Sequence, residues 1–222
     1  MSCFFLSGGG DKEQTKEIDQ AFIKQINPNK PLLYIPIAMD EAISFDECYK
    51  WINSVFKPLG IQEIIMWTDL SNKTLEDLKQ FSAIYIGGGN TFSLLNAIRI
   101  SKIDKALEEY IENEGVIYGG SAGAIILGSN IMTCAHMDAN KTNLQNFEGL
   151  KYIQGYSIWC HYEMENDSLI WNFIKKNKKA VIALPEDTGI FYSKSGIEII
   201  GTSPAFIFKD GDKILVQPKS YI

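Results

Sequence analysis

Ser121 stands in Gly119-Gly120-Ser121-Ala122-Gly123, between a β-type run at Val116–Tyr118 and small apolar residues suited to a buried helix. Gly-x-Ser-x-Gly at a strand-to-helix turn is the pattern of a nucleophile elbow. A turn this tight leaves no room for large side chains beside the serine, hence the two glycines and Ala122. It lifts the hydroxyl clear of the backbone and leaves the Ala122 N–H at a helix N-terminus, where it can donate to an oxyanion. An incidental serine in a Gly-rich turn would have the same spelling, so the other chemistry-bearing residues must decide.

A serine nucleophile needs a base, and the chain has two histidines, His136 and His161. His161 closes an apolar run, Ser157–His161, expected to be a strand, and faces a crevice at its end. His136 lies in the loop-like stretch Thr133–Asp138. The neighbouring Cys160 is not expected to pair with His161, because adjacent strand side chains point to opposite faces. An orienting carboxylate fits at the end of another apolar run, Ala180–Leu184, where Glu186 and Asp187 follow Pro185. Residue physics alone does not choose between the two, and Asp138, in the loop near His136, is a third carboxylate that competes for the role. Gly87-Gly88-Gly89-Asn90 ends a further apolar strand and can present N–H groups beside Ser121, with Asn90 also suited to cap the next helix.

The elements that must hold these groups alternate. Strands are expected at Ser2–Ser7, Pro31–Ala38, Ile61–Trp67, Ala83–Ile86 and Val116–Tyr118. Helices are expected between them, over Glu13–Ile26, Ser44–Phe56, Thr74–Phe81, Thr91–Ile100 and Ile103–Asn113. Continuous apolar strands alternating with helices describe an α/β fold, a mostly parallel sheet with helices on both faces. After the elbow come strands at Tyr156–Tyr162 and Ala180–Leu184 around a helix at Ser168–Lys176. Short strands follow at Gly189–Ser193, Ile197–Ile200, Ala205–Lys209 and Lys213–Gln217, with a hairpin signal at Asp210-Gly211. These read as antiparallel additions to the same sheet, making residues 1–222 one domain.

Composition narrows the function further. A net charge of −6 and the lack of any basic run longer than Lys175-Lys176 or Lys178-Lys179 argue against a nucleic-acid or anionic-membrane partner. No apolar stretch approaches a transmembrane span. The start, Met1–Ser7, lacks the basic region of a signal peptide. The four cysteines are scattered, without Cys-x-x-Cys, so neither a metal site nor a disulfide framework is expected, and a cytoplasmic enzyme is the default. The dinucleotide fingerprint fails at both glycine runs, Gly8-Gly9-Gly10 after the first strand and Gly87-Gly88-Gly89, where Glu13 and Phe92 occupy its third glycine position. Arg99 is the single arginine, which leaves phosphate recognition poorly supplied.

Four features in order carry a family resemblance: Ile86–Leu95, Gly119–Ala124, His161 at a strand end, and Leu184-Pro185-Glu186-Asp187-Thr188-Gly189. Together they resemble the peptidase E and cyanophycinase family of serine peptidases. The fold of that family resembles class I glutamine amidotransferases, with serine replacing their cysteine. The resemblance implies Ser121 as nucleophile, His161 as base, Glu186 as orienting acid, and oxyanion donors from Gly88, Gly89 and Ala122. It implies no metal or organic cofactor. The expected partner is a short peptide or small amide, met by Asn90 and by acidic residues such as Glu163; a homodimer stays open. An esterase or amidase using the same triad, or a silent small-molecule-binding member of the fold, are the alternatives. Aspartyl dipeptidases of the family bind an N-terminal aspartate with an arginine between the histidine and the glutamate. His161–Glu186 contains none, so Asp-X dipeptides are not expected to be strongly preferred.

Overall fold

The apolar runs fold as strands buried along their whole length, because the sheet they form is covered on both faces. The computed structural model describes residues 2–39, 43–153 and 155–222. Its strands are β1 (Cys3–Ser7), β2 (Leu32–Ile35), β3 (Ile64–Met66), β4 (Ala83–Ile86), β5 (Val116–Gly120) and β6 (Tyr156–Trp159). They continue with β7 (Ala180–Ala183), β8 (Thr188–Ser193), β9 (Gly196–Gly201), β10 (Ala205–Lys209) and β11 (Asp212–Val216). The helices are α1 (Lys16–Ile23), α2 (Phe45–Phe56), α3 (Leu75–Leu78), α4 (Thr91–Ser101), α5 (Ile103–Glu112), α6 (Ala122–Leu127) and α7 (Asp167–Asn177).

The larger sheet runs β3-β2-β4-β5-β1-β8-β9. Its first five strands are parallel, while β8 and β9 add antiparallel at one edge. Side chains alternate across it as the strand period requires. Phe5, Tyr34, Tyr85 and Tyr118 share one face with Ile18, Phe22, Ile52 and Phe56 of α1 and α2. Phe4, Leu6, Leu33, Ile84 and Ile117 share the other with Leu94, Leu107 and Ile126 of α4, α5 and α6. Helix α2 starts where Ser44 and Glu47 form a reciprocal capping box, and α4 starts at Asn90, whose side chain accepts from the Ser93 N–H.

One expectation is corrected. The C-terminal strands do not all join one sheet: β11-β10-β7-β6 form a second, four-stranded sheet in which β6 and β7 are parallel. Both faces of β6 and β7 are apolar. Ile158 and Ile182 pack into the main core, and Trp159 and Val181 pack under Ile170 and Phe173 of α7. Strands β7 and β10 fill each other's hydrogen bonds, leaving only β8 and β9 to extend the larger sheet. Several elements are also shorter than expected. β3 keeps only Ile64–Met66 of Ile61–Trp67, and α3 is a four-residue turn. No helix among the described residues is long and apolar enough to cross a membrane.

Candidate active site

Two sheets meet at the site. Strand β5 ends in Gly120, and the chain turns at once through Ser121 into α6. Ser121 has φ 49° and ψ −111°, a conformation that side chains rarely adopt and that costs on the order of 1–3 kcal/mol. Backbone bonds hold it there: its N–H donates to Ser7 O at 3.2 Å, and its carbonyl accepts the Ile125 N–H at 3.0 Å. The elbow is as crowded as its composition suggests, since a Cβ on Gly123 would lie 2.1 Å from Ile86 O.

The second sheet supplies the other partners. The histidine expected at a strand end lies two residues beyond β6, which stops at Trp159, and it too has positive φ, 50°. Its N–H donates to Gly8 O at 2.9 Å, which ties it to the end of β1. His161 Nε2 lies 2.8 Å from Ser121 Oγ, and His161 Nδ1 lies 3.0 Å from Glu186 Oε1. Glu186 follows β7 after Leu184 and Pro185, and its carbonyl accepts the Gly10 N–H at 3.2 Å. The hydrogen bond with His161, then one from Gln14, holds the Glu186 carboxyl below the usual glutamate range, with burial opposing them. In the tautomer with a proton on Nδ1, the imidazole donates to the carboxylate and offers Nε2 to the serine proton.

Gly9 seals the corner between Ser121 and His161. It has φ +106°, and a Cβ there would lie 2.6 Å from His161 Nε2 and 2.9 Å from Ser121 Cβ. Gly88 lies against the serine from the β4 side, where a Cβ would sit 3.2 Å from Ser121 Cβ. The N–H groups of Gly88, Gly89 and Ala122 donate to no other group among the described residues. The arrangement unites an aligned hydroxyl, imidazole and carboxylate with the amides of the turn after β4 and of the first residue of α6.

The model of peptidase family S51 matches residues 3–200 of this chain. The chain belongs to peptidase family S51. As a member of S51 it is a serine-type peptidase. It is 31% identical over 139 residues to an uncharacterized peptidase, Lmo0363, of Listeria monocytogenes, a match covering 60% of this chain and 66% of that protein, just under two thirds. Peptidase E of Haemophilus influenzae is 26% identical over 190 residues, covering 81% of this chain and 84% of that one. The crystal structure of a peptidase from an acI-B1 Actinobacterium shares the fold, with TM-score 0.81 over 100% of this chain and 96% of that one at 18% identity.

The other candidates stand outside the Ser121–His161–Glu186 series, although Asn90 and Asp138 line the same cleft. Asp187 turns away to accept from the hydroxyls of Thr202 and Ser203. Asp138 accepts the Thr91 N–H at 2.8 Å, at the start of α4. His136 stacks on Trp159 with ring centroids 4.3 Å apart, and burial pushes its pKa below the ordinary histidine value. Cys160 is buried against the Ser7 and Ser121 carbonyls, and burial pushes its thiol well above the ordinary range, away from a reactive thiolate. Asn90 lines the cleft with both ends of its amide in use, by Ser93 N–H and Ala139 O. Glu163, expected to meet substrate, instead stands exposed and outside the cleft, where it begins the short turn Met164–Asn166. Sequence reasoning missed Gly9 and Gln14; the spacing Asp11-x-x-Gln14 after a glycine run was the available signal for the second.

Proposed function

We propose that this chain hydrolyses short peptides through an acyl-enzyme formed on Ser121. Ser121 Oγ attacks the scissile carbonyl while His161 Nε2 takes its proton and Glu186 stabilises the imidazolium. Gly88, Gly89 and Ala122 supply the donors for the tetrahedral oxyanion. His161 then returns the proton to the leaving amine, and water repeats the sequence on the ester. The observation that carries this reading is the unbroken hydrogen-bonded series from Ser121 through His161 to Glu186. The strained conformation of Ser121 and His161 agrees with it, since such backbone clusters at reactive centres.

The cleft suggests which peptides. It encloses about 930 Å³, room for a short peptide. Its walls include Tyr34, Tyr85, Trp51, Ile43 and Met137, and the last three keep much of their apolar surface exposed. Lys141 is the one lysine or arginine among the described residues lining it. Arg99 is used elsewhere, donating to the carbonyls of Asn146 and Glu148. Bulky uncharged residues therefore suit the cleft better than an aspartate. Measured kcat/KM values are expected to be at least as high for Leu- or Ala-led dipeptides as for Asp-led ones. An Asp preference of about 100-fold, or some 2.7 kcal/mol, would overturn this specificity. Turnover of simple esters with none of any dipeptide would make the chain an esterase.

A further inference from the structure

We infer that Gln14 is a positioning residue that fixes the free carboxylate oxygen of Glu186, and so aims the acid at His161. The inference rests on the triad proposed above. His161 occupies only Oε1 of Glu186; Gln14 Nε2 donates to Oε2 at 2.9 Å. The amide of Gln14 has no freedom to turn over, because its Oε1 accepts the Asp11 N–H at 2.9 Å. Asp11 in turn accepts from the N–H groups of Glu13 and Gln14 at 2.9 and 3.0 Å, which completes a reciprocal capping box. The oxygen end being taken, only the NH2 end can face Glu186. That turn is itself fixed to the site. Gly8 N–H donates to Thr188 O, Gly8 O accepts from His161 N–H, and Gly10 N–H donates to Glu186 O. Glu186 stays 45% exposed in its side chain, so without Gln14 its carboxylate would be free to swing toward solvent. The charged or titratable groups around it are His161, across the hydrogen bond, and Asp11, on the turn that carries Gln14.

The test uses a fluorophosphonate probe on the full chain, which needs no known substrate. Ser121 Oγ attacks phosphorus, fluoride leaves, and His161 Nε2 takes the hydroxyl proton, so the labelling rate reads the triad directly. Gln14→Ala should lower that rate about 10- to 10²-fold at every pH, the cost of a carboxylate displaced by about 1 Å. Gln14→Glu keeps the shape and the acceptor for Asp11 but sets two carboxyls against each other, which cannot both ionise cheaply. With the shared proton present, the new carboxyl donates as the amide did. As pH rises and that proton leaves, repulsion displaces Glu186, giving a falling alkaline limb that the wild type lacks. A role in the capping box alone would lower Tm and leave the pH profile unchanged. If Gln14→Ala does not fold, the isosteric Gln14→Glu carries the test. Labelling of Gln14→Ala within about twofold of wild type, or a wild-type pH profile in Gln14→Glu, overturns the role of Gln14 while leaving the triad intact. Wild-type protein that never labels at Ser121 removes the triad, and the inference with it.

Discussion

Ser121→Ala is expected to fold like the wild type and to lose hydrolytic activity by about 10³–10⁶-fold. The fold should survive because the elbow is held by backbone bonds, from Ser121 N–H to Ser7 O and from Ile125 N–H to Ser121 O, which alanine keeps. Among the described residues the hydroxyl has one side-chain partner, His161, so its removal leaves no buried group stranded. The imidazole, 31% exposed, can turn to water. On the proposed mechanism the substitution removes the nucleophile and the covalent route, and substrate binding together with the oxyanion donors leaves a residual rate. Peptide hydrolysis measured beside Tm separates the two effects. Activity retained with an unchanged pH profile would rule out the serine mechanism.

Glu186→Gln should cost about 10²–10⁴-fold in kcat with little change in KM. The carboxylate accepts twice, from His161 on one oxygen and from Gln14 on the other. An amide has one oxygen for these two donors, so one hydrogen bond must fail. If its NH2 group faces His161, the ring must accept at Nδ1 and carry its proton on Nε2, the wrong tautomer for a base. In either orientation the charge that stabilises the imidazolium is gone. Asp138→Asn is the control. Its side chain caps the first turn of α4 at Thr91, and the variant should stay near wild-type activity. A crippled Asp138→Asn beside a near-normal Glu186→Gln would reassign the acid.

The parts of this site that were legible in the sequence are the local ones. A strand, a tight glycine turn and a helix leave their signature within about a dozen residues, so the elbow at Ser121 and the turn at Gly87–Asn90 could both be read. The position of His161 was legible to within two residues, since the apolar run before it continues past the end of β6. Which sheet a strand joins was not legible. Pairing is set by surfaces far apart in the chain, and an apolar run has the same composition in either sheet; hence β6, β7, β10 and β11 were assigned to the wrong one. Gln14 shows the same boundary in a single side chain. Its capping-box spacing with Asp11 is local, but its other partner is 172 residues away. The choice between Glu186 and Asp187 also rested on something distant: the hydroxyls of Thr202 and Ser203, which draw Asp187 toward the turn between β9 and β10.

The most direct measurement of the central claim is the site of covalent labelling by a fluorophosphonate probe. Intact mass and peptide mapping should find one adduct, on Ser121, with none formed in Ser121→Ala and little in Glu186→Gln over the same time. An adduct on another residue, or one that forms equally well in Ser121→Ala, would contradict the account.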